Sequence, residues 1–444
     1  MTKHTIIKIR LVLFSLLLLC TVKITAQNTT KETFDVQELK SDVEFFFSEL
    51  EKTHPNLYYY YPKDSVLYAK ETIIRQLTAP MSLFDITQLI RINTNRLFDG
   101  HTGIKWYNLP KSAFLFPPKQ IRVERGIMYI GEGTETCKIN SINGKSASEI
   151  INTMRNLVEA GKPIYIKDCT IEDDFPIFFF LLYGSCEKFS LAIEQNGKKS
   201  QIALQGVTTK DVYYGTNEPK FDLIIKNGIA LLTVNTFNGD FFEEFQTFLD
   251  SSFKQIKQAD INNLFIDVSE NSGGSDNNVS LLLDYIYPDD YYFLYGYALD
   301  KDSIVEGSEW LRNHEVESPY LGKVYVLQSY KTFSAAMDFA SAIKTSDRGI
   351  IIGEMTSDPA YSFSNATGFR LPNTGIWVSC AQGFYAMPSG SHNCNVGILP
   401  DVYCHRRDLD VLKKNTNTLF EYFESMLKKY GDRQNSIEIL KLFE

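Results

Sequence analysis

Between Phe34 and Leu97 the apolar residues recur at three- and four-residue spacing, with Leu39, Val43, Phe46, Phe47 and Leu50 forming one stripe. That period places them on one face of an amphipathic helix. Asp35, followed three residues later by Glu38, resembles a capping box at its start. His54-Pro55 interrupts the pattern because proline cannot continue the hydrogen-bond ladder. Helical periodicity resumes over 64–77 and 82–97 and stops at the Asp99-Gly100 turn. From about 115 to 212 the period shortens. Segments 121–123, 127–130 and 139–142 read as strands and 148–158 as a short helix. Strand-like segments then run to 189–193 and 201–204, around the Asn196-Gly197 turn. A small β-rich domain with one or two helices is expected there.

From about residue 218 strands and helices alternate, the signature of an α/β core. Strands are expected at 228–233, 264–268, 323–327, 349–353 and 377–380. Helices are expected at 241–258, at 279–286 and from about Ser334, and the chain from Asp408 to its end is again helical. The pattern divides the chain into a leader (1–26), an N-terminal helical module (27–114), a β-rich domain (115–212), an α/β core (213–410) and a helical tail (411–444). No internal repeat is seen.

The leader has its own chemistry. Lys3, Lys8 and Arg10 precede an apolar run at 11–22, and Thr25-Ala26 offers a cleavage site before Gln27. Those are the parts of an export signal, so a periplasmic or extracellular protein is expected, without a stable membrane span after signal removal. The run is short for a span; an uncleaved anchor, or lipidation at Cys20, is the lesser alternative. Once the signal leaves, Cys137, Cys169, Cys186, Cys380, Cys394 and Cys404 remain. Export permits disulfides among them, and buried free thiols are equally compatible with the spacing.

Composition narrows the function further. Hydrophobic residues are 44% and charged residues 22% of 444, the balance of a globular protein long enough for several folding units. The net charge of −9, with no long basic run beyond the leader, excludes a nucleic-acid partner. There is no CxxC, HExxH, GxGxxG or Walker pattern, so neither a metal nor another cofactor is expected.

Three short motifs could carry chemistry. Thr332-Phe333-Ser334-Ala335-Ala336 sits at a strand-to-helix turn, where backbone N–H groups and the helix dipole favour an oxyanion. The bland reading is a helix-capping serine, which is far commoner. Asn271-Ser272-Gly273-Gly274 follows a strand, and paired glycines let backbone N–H groups approach a carbonyl; a tight turn explains them equally well. Asp99-Gly100-His101-Thr102 places a histidine, which titrates in the useful range, at a helix-to-loop turn; it could equally bond only to that turn. His392 beside Asn393-Cys394 is a weaker, cysteine-based alternative with no oxyanion loop near it.

In this order the motifs resemble the C-terminal processing (tail-specific) serine peptidase family and its tricorn-like relatives. The resemblance runs through His54-Pro55-Asn56-Leu57-Tyr58, the 97–102 segment, Ile139–Gly144 with Glu149-Ile150, and Phe265-Ile266-Asp267 with 271–274. It continues through Thr332–Ala336, 352–356, Leu371-Pro372-Asn373 and 397–401. It implies a crotonase/ClpP-like α/β core, a PDZ-like domain at 115–212 and endopeptidase chemistry on a peptide or protein substrate. Ser334 would be the nucleophile, and the N–H groups of Gly273, Gly274 and Ala335 the oxyanion hole. The family's base lysine is absent, its position falling near Pro359, so His101 in the tricorn-like manner is the expected base. Cys394 stands where that branch has an acid, leaving Asp99, Glu354 or Asp401 as possible third members. Ser269 replaces an arginine. The alternative is a catalytically inactive relative that binds peptides or apolar ligands. The oligomeric state is not readable from sequence.

Overall fold

The computed structural model describes residues 33–105, 109–110, 113–118, 120–131, 135–209, 219–288, 291–300, 303–312, 316, 318–387, 396–430 and 436–443. The leader at 1–26, with Cys20, and the His392–Cys394 segment lie outside the described residues. The N-terminal module contains α1 (Val36–Thr53), α2 (Lys63–Gln76) and α3 (Leu83–Thr94). Asp35 Oδ1 accepts the N–H groups of Gln37 and Glu38, while the Glu38 carboxylate accepts Asp35 N–H, closing the capping box. The stripe Leu39, Val43, Phe46 and Leu50 is fully buried. It packs on the other two helices and, from far along the chain, on Leu371, Ile376, Val378 and Cys380. The module therefore shares its core with a later sheet.

The β-rich domain runs through β1 (Phe114–Leu115), β2 (Ile121–Glu124), β3 (Ile127–Ile130), β4 (Cys137–Ile142), β5 (Lys145–Ser146) and α4 (Ala147–Met154). Then come α5 (Ile164–Tyr183), β6 (Lys188–Gln195), β7 (Lys198–Gln205) and β8 (Val207–Thr208). Its main sheet has the order β2-β3-β4-β6-β7. Asn196 and Gly197, at φ +51° and +76°, make the two-residue turn that pairs Gln195 with Lys198. The 20-residue α5 is a correction, because strand-like segments were expected there. Its Ile171, Phe175, Phe178 and Phe179 enter the β-rich core while Ile166 and Cys169 pack on Tyr330 and Met355. A helix that packs on two bodies buries apolar residues in more than one direction, so no single apolar stripe shows a 3.6 period, and Pro176 inside it reads as a break.

The α/β core contains β9 (Phe221–Lys226), β10 (Ile229–Val234), α6 (Phe242–Gln258), β11 (Asn263–Asp267), α7 (Asp276–Asp284), β12 (Tyr291–Asp300) and β13 (Ser303–Arg312). It continues with β14 (Lys323–Gln328), α8 (Ala335–Thr345), β15 (Gly349–Gly353), β16 (Tyr361–Arg370), β17 (Trp377–Ala386) and β18 (Val402–Tyr403). One sheet has the order β18-β15-β14-β11-β10-β9, parallel except for β9. Ala230, Leu264, Ile266 and Val326 point from it towards α6, α7 and α8. Phe265, Tyr325, Leu327 and Ile352 point to its other face. There they meet Leu409 of α9 (Arg406–Lys413) and Leu419 and Phe423 of α10 (Thr416–Tyr430), which α11 (Ser436–Phe443) follows. Burial on both faces explains the near-continuous apolar strands.

Residues 377–380 form a strand as expected. They belong to β17, in a separate antiparallel sheet ordered β13-β12-β17-β16. Its partner β16 reads Ser-Phe-Ser-Asn-Ala-Thr-Gly through its middle and carries no apolar alternation to betray a strand. This sheet also bridges Gly103 to Ser379, tying the N-terminal module to the core. Cys137, Cys169, Cys186, Cys380 and Cys404 are free thiols, so no disulfide forms among the described residues.

Candidate active site

The sharp turn after β14 presents Ser334. It stands at the N-cap position of α8 with φ +52° and ψ −130°, and its side chain caps nothing. A non-glycine residue in that region costs on the order of 1–3 kcal/mol and persists only where its surroundings impose it. Here they do. Thr332 Oγ1 donates to Val268 O and accepts Ser329 N–H, Phe333 N–H bonds Asn271 O, and Ser357 N–H bonds Thr332 O. The capping explanation is thereby removed, and the strained turn leaves the Oγ free for another partner.

That partner is a histidine 233 positions away in sequence. His101 Nε2 lies 3.1 Å from Ser334 Oγ, with Ser364 Oγ from β16 at 3.5 Å. The His101 ring stacks on Phe333 at 4.5 Å between centroids, its main-chain N–H donates to Asp99 Oδ1 at 2.8 Å, and its carbonyl accepts Ser379 Oγ–H at 2.7 Å. The residue is thus held at its ring by Phe333 and through its main chain by Asp99 and Ser379.

None of the three expected carboxylates faces the ring's far nitrogen. Asp99 accepts the His101 main-chain N–H and His54 Nε2 at 2.9 Å; Glu354 accepts Arg406 N–H; Asp401 accepts Ile351 N–H and pairs with Lys344. The acid on that side is instead Asp358, whose Oδ2 lies 3.9 Å from His101 Nδ1. Nδ1 is buried and makes no hydrogen bond. The sequence offered one signal for Asp358: it adjoins Pro359, where the lysine of the resembling family would fall. Gly100 makes room for it, since a Cβ there would lie 2.8 Å from Asp358 Oδ2.

The glycine loop meets the same point. A Cβ on Gly273 would lie 2.6 Å from Phe333 O, 2.8 Å from Ser334 Cβ and 3.0 Å from Ala335 N, so only glycine lets the loop touch the Ser334 turn. Gly273 N–H, however, donates to Asn271 Oδ1 at 2.8 Å. This corrects the expected donor set. The N–H groups of Gly274 and Ala335, which follow Gly273 and Ser334 in the chain, have no acceptor among the described residues.

A residue that sequence did not single out completes the cluster. Lys162, just before α5, reaches Asp358 Oδ1 at 2.9 Å and Ser357 Oγ at 2.8 Å, with its ammonium 5.2 Å from the Phe333 ring centroid. Burial pushes the His101 pKa below its ordinary value; Asp358 and Asp99 oppose that, and Lys105 and Lys162 reinforce it. The imidazole is therefore neutral at neutral pH. Burial alone would lower Lys162, but Asp358 and Glu159 outweigh it and hold the ammonium above its ordinary range. Such a lysine is a fixed cation, not a base. Among the described residues no group of three or more His, Cys, Asp or Glu could hold a metal, and no helix is long and apolar enough to cross a membrane.

Comparison with known proteins bears on the family and the fold. Residues 228–404 match the model of peptidase family S41. The fold is similar to that of mature CPAF, at 13% identity and TM-score 0.58, over 83% of this chain and 92% of that one. It is likewise similar to mature CPAF complexed with lactacystin, at 13% identity and TM-score 0.55, over 83% and 94%. A photosystem II D1 C-terminal processing protease is 12% identical over 83% of this chain and 93% of its own, with TM-score 0.46. No curated protein matches the chain in sequence. The likeness to CPAF is one of fold, an α/β core with helical and β-rich domains, and within it residues 228–404, which include the Ser334 turn, are similar to peptidase family S41.

Proposed function

We propose that this chain is an exported serine-type endopeptidase in which Ser334 is the nucleophile and His101 the general base. The observation that carries the reading is the 3.1 Å approach of His101 Nε2 to the hydroxyl of a serine held at φ +52°. A serine hydroxyl attacks a carbonyl only when a base takes its proton, and a neutral imidazole at hydrogen-bond distance does so near pH 7. Ser334 Oγ adds to the scissile carbonyl while its proton passes to His101 Nε2. The tetrahedral oxyanion is met by Gly274 and Ala335 N–H. Collapse breaks the C–N bond as His101 returns the proton to the departing amine, leaving an acyl-serine. Water, deprotonated by the same imidazole, releases the acid and restores the hydroxyl. Asp358 is assigned the third position, supporting the imidazolium electrostatically.

A fluorophosphonate probe tests this without knowledge of the substrate. The wild-type chain is expected to be labelled on Ser334, Ser334→Ala to lose all labelling, and His101→Ala to lose most of it while remaining folded. Labelling that survives in Ser334→Ala rejects the assignment. Export is tested separately: a mature chain recovered outside the cytoplasm should begin at Gln27. The second reading, an inactive peptide binder, draws on the 3.9 Å gap and unpaired Nδ1 of His101. It predicts peptide binding without cleavage or labelling, unchanged in Ser334→Ala.

A further inference from the structure

We propose that Lys162 is a positioning residue of the Ser334–His101 pair, holding Asp358 in place and setting the pH at which His101 becomes a usable base. The inference rests on the reading of His101 as the base and deepens it. Asp358 is 4% exposed and would be an uncompensated charge at that depth. Lys162, with its side chain 9% exposed, supplies the counter-charge at 2.9 Å. The pair leaves Oδ2 of the same carboxylate as the atom nearest His101 Nδ1. The imidazole therefore sees a carboxylate already partly neutralised by an ammonium, which stabilises the imidazolium less than a lone carboxylate would.

Lys162 is also the end of a strap. In the 157–162 segment, which joins the β-rich domain to α5, Leu157 O accepts Asn95 Nδ2–H at 2.9 Å and Ala160 N–H donates to Phe98 O at 2.8 Å. Glu159 pairs with Lys105 at 3.3 Å, and Lys105 Nζ lies 3.4 Å from Thr102 O. The strap thus grips the His101 turn on both sides before Lys162 reaches the acid beyond it. The charged groups acting on the imidazole are Asp358 and Asp99 on one sign and Lys105 and Lys162 on the other, with Glu159 behind the lysines and His54 behind Asp99.

A lysine with a purely structural role would alter stability and leave the His101 titration where it is. The two are separated by NMR titration of the His101 imidazole in a Ser334→Ala background, comparing Lys162, Lys162→Met and Lys162→Arg. Removing the cation is expected to raise the His101 pKa, and arginine to restore it towards the parent value. In the active chain the acid limb of the fluorophosphonate labelling rate moves to higher pH in Lys162→Met, by roughly tenfold in rate for each unit moved. An unshifted titration in folded Lys162→Met overturns the proposal. Should Lys162→Met fail to fold, Lys162→Gln takes its place, keeping a hydrogen-bond donor towards Asp358 without the charge. A raised His101 pKa is then expected, and an unchanged one overturns the proposal. Absence of labelling in the wild type rejects the peptidase reading alone, because the titration still reports on Lys162.

Discussion

Two histidine–carboxylate pairs lie back to back at the Asp99-Gly100-His101 turn, and they are built to opposite ends. In the first, His54 Nδ1 accepts Asn56 N–H at 3.1 Å, so Nε2 carries the proton and donates to Asp99 Oδ2 at 2.9 Å. Asp99 Oδ1 is filled by His101 N–H. Both side chains are buried, and burial, which would raise the Asp99 pKa, is outweighed by His54 and by the His101 main chain and ring, so the carboxyl sits below its ordinary value. In the second pair, His101 Nδ1 has no hydrogen bond, its carboxylate stands off at 3.9 Å, and Nε2 faces a hydroxyl free to react. A saturated pair fixes a turn. An unsaturated one has room to change its protonation state.

The largest effect should separate the pairs by readout. His101→Ala removes the proposed base, and loss of a base of this kind costs roughly 10³-fold or more in serine acylation, read as fluorophosphonate labelling rate with little change in unfolding midpoint. His54→Ala should do the reverse in its primary effect. It strips a hydrogen-bonded partner from a buried carboxylate, a loss of about 3 kcal/mol in urea unfolding, with labelling reduced only as far as the turn loosens. Equal effects of both variants on labelling at equal stability would erase the distinction.

How much of this was legible in the sequence follows the same division. Ser334, His101 and the glycine loop stood in short motifs whose residue types announce chemistry, and a strand-to-helix turn is visible from local periodicity. Asp358 and Lys162 carry no such mark. Asp358 reaches His101 because Gly100 leaves space, and Lys162 reaches Asp358 because the strap at 157–162 lies across the His101 turn; both are consequences of packing between domains. The arginine missing at Ser269 shows the same thing. Lys413 of α9, distant in sequence, reaches Asp267 at 3.0 Å and Ser269 Oγ at 2.9 Å, supplying a cation there from another element. The fold divided likewise: α1 and the parallel strands showed their periods, whereas α5, whose apolar residues serve two cores, and β16, polar through its middle, did not.

The pH profile sharpens the comparison at a smaller scale. His101 has its pKa held below the ordinary histidine value of about 6.5, so the neutral base persists into mildly acid solution. Labelling is expected to stay flat from neutral pH downward and to fall only below that value, roughly tenfold per unit, as the imidazolium forms and can no longer accept the Ser334 proton. A limb above 6.5 would mean that the carboxylates prevail over burial at His101. Glu159 makes the matching statement about stability. Burial would raise its pKa, but Lys105 and Lys162 bring it down to about 2. Its contribution is present above the unfolded carboxyl's range and is lost as pH falls towards 2. Glu159→Gln should therefore narrow the difference in unfolding midpoint between pH 6 and pH 3.

The smallest predicted effect tests the gap itself. Gly100→Ala adds one methyl whose carbon would lie 2.8 Å from Asp358 Oδ2 and 3.3 Å from the edge of Phe333. Something must yield, and Asp358 is tethered at its other oxygen by Lys162. The carboxylate is pressed away from His101 Nδ1, weakening its support of the imidazolium while leaving Ser334, the glycine loop and the His54–Asp99 pair in place. A loss of about tenfold or less in labelling is expected, on the scale of one displaced electrostatic partner, together with a lower His101 pKa by NMR because the nearest negative charge has moved off. Unchanged titration with normal labelling would mean that Asp358 acts on His101 too weakly at 3.9 Å to be counted with it. The second pair would then be no pair at all, and Asp358 only the counter-ion of Lys162.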